Sequence, residues 1–155
     1  EKKLAQDDSN IIDTVLDLLV KLDYFDEVLL LQPTSPLRIV EDIKNIIEIK
    51  RKFNADSVVS VCEARHNPSL LFEIEGNILQ KSFNNLKSGN RQNFKKYYAL
   101  NGSLYLTSVE YLKKYKKFIS KDTLPYIMPP ERSIDIDSLF DVKLAEFLID
   151  HRDKI

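Results

Sequence analysis

A chain of 155 residues, 43% of them hydrophobic, can build one globular core. Its 23 Lys+Arg nearly cancel its 24 Asp+Glu, which excludes the broad basic field that draws nucleic acid, and no apolar run approaches the ~20 residues that would span a bilayer. The opening EKKLAQDD lacks the apolar stretch of a signal peptide, and a lone cysteine, Cys62 inside SVVSVC, reads as a buried thiol, so the expected setting is a reducing cytoplasm.

From Ser9 to Leu22 the residues Ile11, Ile12, Val15, Leu16, Leu18, Leu19 and Leu22 recur at helical spacing, with Asp7, Asp8, Ser9 or Asn10 available as cap. EVLLLQ (27–32) is continuously apolar and stopped by Pro33, which predicts a strand buried on both faces in the middle of a parallel sheet. After PTSP the helical period returns through Ile39, Ile43, Ile46, Ile47, Ile49 and Phe53, and SVVSVC (57–62) reads as a second buried strand. Strand, helix and strand with short connections predict a right-handed crossover unit of an α/β sheet. LFEIEGNILQKSF (71–83) alternates about Gly76-Asn77 and reads as a hairpin, and the polar stretch from Phe83 to Lys96 is expected to be a mobile loop. GSLYLT (102–107) reads as a strand, SVEYLKKYKKF (108–118) as a helix and IDID (134–137) as a short strand. Ser138 to Asp150 reads as a helix whose apolar side is Leu139, Val142, Leu144, Ala145 and Leu148.

Ligands of open parallel sheets sit beyond the carboxyl ends of the strands, which singles out Gln32, Pro33, Thr34, Ser35 and Asp137, with Asn101 and Gly102 beside another strand. LLLQPTSPLR leads a strand through a stiff turn, with two hydroxyls, an amide and an arginine, into a helix whose first amides favour an anion. Thr34 and Ser35 either cap that helix at Pro36 or hold a ligand. In SIDID a period of two puts Ile134 and Ile136 on one face and Asp135 and Asp137 on the other. Two adjacent carboxylates repel unless a cation separates them, so the pair is either a Mg²⁺ site or the solvated face of an edge strand. Gly102 can let backbone approach a ligand, and Arg91 can fork a carboxylate or stand as an ordinary loop arginine. His66 and His151 lack companions for a metal site or relay, Tyr111, Tyr115 and Phe118 at helical spacing read as packing, and KKYKK as a solvated face.

LLQPTSPLR (30–38), RQ (91–92), the NG of NGSLY (101–105) and SIDID followed by Asp141, in that order across nearly the whole chain, resemble the motif set of the N-acylneuraminate cytidylyltransferases, or CMP-sialic acid synthetases. The resemblance implies one α/β domain over 1–155, a three-layer Rossmann-like nucleotidyltransferase of the nucleotide-diphospho-sugar transferase type. Its sheet would be mainly parallel, and about 71–131 would hold the hairpin, a flexible loop and a dimerisation region. It implies transfer of CMP from CTP to the anomeric hydroxyl of a nine-carbon acidic sugar with release of pyrophosphate, dependence on Mg²⁺, and a homodimer with shared sites.

By match to the family's motifs, Gln32 and Asp137 would carry catalysis, Asp135 and Asp137 the metal, Gln32 the acceptor sugar, Arg91 its carboxylate and Tyr105 its acylamino pocket. Thr34, Ser35, Arg38, Gln92, Asn101 and Gly102 would complete the substrate site, and Phe118 would reach into the neighbouring subunit's sugar pocket. Some members carry a lysine near Leu70 and an arginine at Ala99, and relatives acting on legionaminic acid share the same motifs, so that sugar is the alternative acceptor. A dimerising remnant without turnover is the second alternative. Members also open with a strand and a Gly-, Ser-, Arg- and Lys-rich phosphate loop. With glycines only at 76, 89 and 102, these 155 residues are expected to hold half a nucleotide site and, alone, to form no CMP-sugar.

Overall fold

A computed structural model describes residues 10–22, 24–83 and 95–152. Helix α1 (Ile11–Lys21) starts where the Asn10 side chain accepts from the Ile12 amide at 3.0 Å and buries Val15 and Leu19. Strand β1 (Glu27–Leu31) leads through the PTSP turn to α2 (Val40–Phe53), which ends on Asn54 in the left-handed conformation, φ 46°. Strand β2 (Ser57–Glu63) follows, then the hairpin β3 (Phe72–Glu75) and β4 (Ile78–Lys81), turned at Gly76 with φ +61°. The long β5 (Tyr98–Ser108) runs directly into α3 (Val109–Tyr115). β6 (Leu124–Ile127) and α4 (Leu139–Asp150) complete the chain.

The main sheet has the order β1-β5-β2-β6, and the hairpin is a separate two-stranded sheet. β5 is antiparallel to both neighbours, while β2 and β6 pair in parallel. Hence β1, β2 and β6 point one way and the latest of the central strands is inserted against them. One face carries Val58, Leu104, Leu106, Tyr126 and Met128 against Ile46 of α2, and the other presents Val28, Leu30 and Tyr105 to a core of Val15, Leu19, Val109, Leu112 and Phe118 under α1 and α3. The result is three layers, helix, sheet and helices. A third cluster, Leu37, Ile134 and Ala145, fastens α4 to the turn after β1.

Several expectations are corrected. β1 does not lie in the middle of a parallel sheet: its partner among the described residues is β5, antiparallel, and its three inner residues are only half-buried. IDID forms no strand; among the described residues its tie is a single backbone bond, Ile136 N to Thr34 O at 2.8 Å, rather than a ladder. The strand that closes this side is β6, concealed in the sequence by Pro125, which a sheet edge tolerates because one row of its N–H groups has no ladder partner. α3 stops at Tyr115, followed by Lys116 at φ 50°, short of Phe118. Leu139 is 82% exposed and leaves the apolar side of α4 to Ala145, Leu144 and Leu148, and Cys62 is half-buried rather than buried. The polar stretch expected to be mobile lies largely, at 84–94, outside the described residues.

Candidate active site

The site forms where β5 is irregular. Between the pairs Val59↔Tyr105 and Val61↔Leu100, β2 contributes Ser60 alone while β5 contributes residues 101–104, so β5 bulges at Asn101-Gly102. β1 ends with Leu31 opposite Leu104, and the bulge therefore meets the turn that begins at Gln32. Gly102 has φ +71°, and a Cβ there would lie 2.5 Å from Asp135 Oδ2 and 3.0 Å from Gln32 Oε1. Three motifs separated in sequence thus converge on one point.

The turn is rigid because its own side chains hold it. Arg38 Nη1 donates to the carbonyls of Gln32 and Ser35, both at 2.7 Å. Ser35 is fully buried and its hydroxyl faces Asn101 O at 3.2 Å and Asp135 Oδ1 at 3.4 Å. Asn101, 5% exposed, is itself a hub: its Oδ1 accepts from Ser60 Oγ at 2.6 Å, and its Nδ2 donates to Ser133 Oγ at 2.9 Å. A polar residue inside an apolar strand must find such partners, and Ser60 finds Asn101 and the Leu104 amide.

Asp135 is half-buried and faces the bulge, whereas Asp137 is exposed. The Asp137 amide donates to Asp141 Oδ2 at 3.2 Å, and Asp141 completes the capping box of α4 with Ser138. The Ser138 hydroxyl, with the Asp137 and Ser138 amides, holds the Asp141 carboxyl below the ordinary aspartate value. Burial, then the negative charge of Asp135, raises the pKa of the Tyr105 phenol, which keeps it a proton donor. Tyr105 is half-buried and backed by the Phe118 ring, 5.4 Å between centroids and tilted by 49°.

The sequence-chosen residues thus divide. Gln32, Gly102, Tyr105 and Asp135 come together, with the exposed Asp137 and Thr34 at the margin. Ser35, Arg38 and Asn101 are braces: two are buried and the third is committed to backbone carbonyls. Phe118, expected to reach a neighbouring subunit, is 6% exposed in the chain's own core and supports Tyr105 from behind. Arg91 and Gln92 lie outside the described residues. Missed from the sequence were Ser60 and Ser133, although a serine amid SVVSVC was a visible signal.

Among the described residues no three His, Cys, Asp or Glu side chains gather as a metal cluster. Asp135 and Asp137 supply two hard oxygen donors, which suits Mg²⁺, an ion that takes one or two carboxylates and completes its shell with phosphate and water oxygens. The donor set therefore fits that ion when a phosphorylated substrate is bound.

This chain is 39% identical over 155 residues to a CMP-N,N'-diacetyllegionaminic acid synthase of Legionella pneumophila, covering 95% of this chain and 66% of that protein. The chain is homologous to proteins named CMP-legionaminic acid synthase and N-acylneuraminate cytidylyltransferase. A post-translational flagellin modification protein B of Campylobacter coli is 32% identical over 96% of this chain and 66% of its own length. An N-acylneuraminate cytidylyltransferase of Streptococcus agalactiae is 31% identical over 88% of this chain and 33% of its own. The chain thus spans 66% or less of the length of these curated relatives. No family model matches it. The structure of a CMP:2-keto-3-deoxy-manno-octonic acid synthetase complexed with CTP superposes with a TM-score of 0.65 at 11% identity, covering 94% of this chain and 70% of that one, so the two share an α/β, Rossmann-like fold. No helix among the described residues is long and apolar enough to cross a membrane.

Proposed function

We propose that the protein transfers CMP from CTP to the anomeric hydroxyl of a nine-carbon acidic sugar of the N-acylneuraminate type. The observation that carries this reading is the convergence of Gln32, Gly102 and Asp135, from three of the four family motifs, around the bulge of β5. The sugar oxygen forms a bond to the α-phosphorus of CTP, the bond from that phosphorus to pyrophosphate breaks, and the hydroxyl proton is lost to the surroundings. Legionaminic acid or a related bacterial nonulosonic acid is the second acceptor class, favoured by the 39% identity to a synthase named for that sugar.

Gln32, half-buried at the bulge, would contact the acceptor, and Arg91 with Gln92 would receive its carboxylate. Tyr105 would close the acylamino pocket as a protonated donor backed by Phe118. Asp135 and Asp137 would hold Mg²⁺, which supplies neutralisation of the phosphate and leaving-group charge when bound. Ser35, Arg38 and Asn101 act earlier, by fixing where Gln32 and Asp135 stand. Positioning of this kind is what a phosphoryl-type transfer asks of a protein.

The hairpin supports a homodimer. Phe72, Ile74 and Leu79 share one face and are 48%, 75% and 67% exposed, an apolar surface on a two-stranded sheet that is marginal by itself. A reducing cytoplasm fits the half-buried thiol of Cys62. The test is incubation of the whole gene product, not of residues 1–155 alone, with CTP, Mg²⁺ and, separately, N-acetylneuraminic acid, legionaminic acid and 2-keto-3-deoxy-manno-octonic acid, reading pyrophosphate release and CMP-sugar by chromatography. Release with a nine-carbon acid is expected. Turnover of the eight-carbon acid alone, or of none, would overturn the reading.

A further inference from the structure

Asp42 is fully buried, charged, and used by nothing described so far. It stands in the first turn of α2, one turn before the core residue Ile46, on the stripe that faces the sheet. Its Oδ1 accepts from the Tyr126 hydroxyl at 2.8 Å and from Arg132 Nη2 at 2.9 Å, and its Oδ2 accepts from Arg132 Nε at 3.1 Å and from the Ile39 amide at 2.9 Å. Four donors, two of them a planar guanidinium fork, satisfy a carboxylate that burial would otherwise penalise.

The fork ends three residues before Asp135. Arg132 closes a single 3-10 turn (Pro130–Arg132), Ser133 next to it joins the Asn101 hub and donates to Pro129 O at 2.8 Å, and Ile134 is buried against Leu37 and Ala145. The acidic segment is therefore not held by a ladder but by side chains at its upstream end and by the Ile136 amide on Thr34 O. One Asp42 oxygen caps the start of α2 by accepting from the Ile39 amide. With both oxygens engaged, the carboxylate also fixes a direction for Arg132.

We propose that Asp42 is a positioning residue for the reaction: through Arg132 it sets the turn 130–132 and so the place of Asp135 against Gly102 and Ser35. The proposal rests on the reading of Asp135 as a site residue. Asp42 touches no reacting atom, and its work is done on the geometry of the segment that follows Arg132.

The test compares Asp42→Asn, Arg132→Lys and Tyr126→Phe with Glu27→Gln, which breaks the Glu27–Lys50 ion pair of 2.9 Å between β1 and the last turn of α2. Two quantities are read for each: amide exchange across Ser133–Asp137, and kcat with KM for CTP and sugar. Asp42→Asn and Arg132→Lys should speed exchange of the Ile136 amide about tenfold and lower kcat about tenfold, a misplacement effect, while Glu27→Gln changes neither. Tyr126→Phe keeps the fork and removes one donor, so a smaller change in the same direction is expected, and it stands in if Asp42→Asn does not fold. Lowered melting temperature with wild-type Ile136 exchange and wild-type kcat would overturn the proposal. If the parent protein forms no CMP-sugar at all, the function reading fails on its own, and exchange still decides whether Asp42 fixes the segment.

Discussion

Asp135 approaches Gly102 so closely that a single added carbon on the glycine would sit 2.5 Å from the carboxylate. The same glycine has φ +71°, where an L side chain is strained whatever the space around it. Gly102→Ala should therefore lower stability by about 1–3 kcal/mol and displace Asp135, with loss of CMP transfer. Urea unfolding and a turnover assay check both halves; wild-type values in each would show that the bulge is not built around this contact.

Thr34 and Ser35 are neighbours with opposite fates. Ser35 is fully buried and its hydroxyl serves Asn101 O and Asp135, so Ser35→Ala should destabilise by about 1–2 kcal/mol and reduce kcat. Thr34 is exposed and its recorded bond uses only the backbone carbonyl, so Thr34→Ala should stay within about 0.5 kcal/mol of the parent. Equal effects from the two substitutions would contradict the assignment of Ser35 as a brace.

Acid should loosen the protein through Asp42. Burial pushes its carboxyl up, but the Arg132 fork, the Ile39 amide and the Tyr126 hydroxyl outweigh burial and leave it below the ordinary 3.8. A carboxyl whose folded value is depressed contributes stability that is present above its unfolded value and lost as pH falls through the folded one. Melting temperature measured from neutral pH down past 3.8 should therefore drop more steeply for the parent than for Asp42→Asn, with Arg132, Tyr126 and Asn45 as the groups facing the carboxylate or its partner. Parallel profiles would assign the acid sensitivity elsewhere.

Asp137→Asn tests the carboxylate pair with little risk to the fold, since Asp137 is exposed and its amide bond to Asp141 survives the change. Turnover at saturating Mg²⁺ should fall on the order of 100-fold, with an unchanged melting temperature. Near-normal turnover would remove Asp137 from the site.

The hairpin offers a test of assembly. Ile74 and Leu79 are cross-strand partners on an exposed face, and Ile74→Glu places a charge on it without touching the main sheet. On the proposed assembly the parent should sediment as a dimer and Ile74→Glu as a monomer, the weakening being at least about tenfold in the dissociation constant. An unaltered dimer would put the interface elsewhere.

Sequence periodicity carried far for the helices, for β2 and for the hairpin, because each is specified by its own residues. It misled for β1, whose apolar run resembles a parallel core strand but whose partner β5 runs antiparallel; direction is decided by a segment far along the chain, which no local pattern encodes. IDID alternates like a strand yet among the described residues pairs with no strand, while LPYI, marked against by proline, pairs with β2. At the site, motif order brought Gln32, Gly102 and Asp135 to attention, but nothing in the strings distinguished contact residues from supports such as Ser35 and Arg38. Asp42 was the readable clue that went unread: an aspartate on the apolar stripe of Ile39, Ile43 and Ile46 needs a buried partner.

The place of β5 between β1 and β2 also bears on synthesis. Among the described strands those two are joined only through β5, which is made later than both. At ~5–20 residues per second a ribosome takes roughly 4–15 s to extend the chain from the end of β1 to the end of β5. Through that interval β1, joined by β2 once Glu63 is made, stands with unpaired edges, open to pairing with whatever chain lies nearby. A polysome crowded with copies of this message is thus the setting in which the protein is most exposed to misassembly, and translation speed over the stretch from β2 to β5 sets how long that exposure lasts.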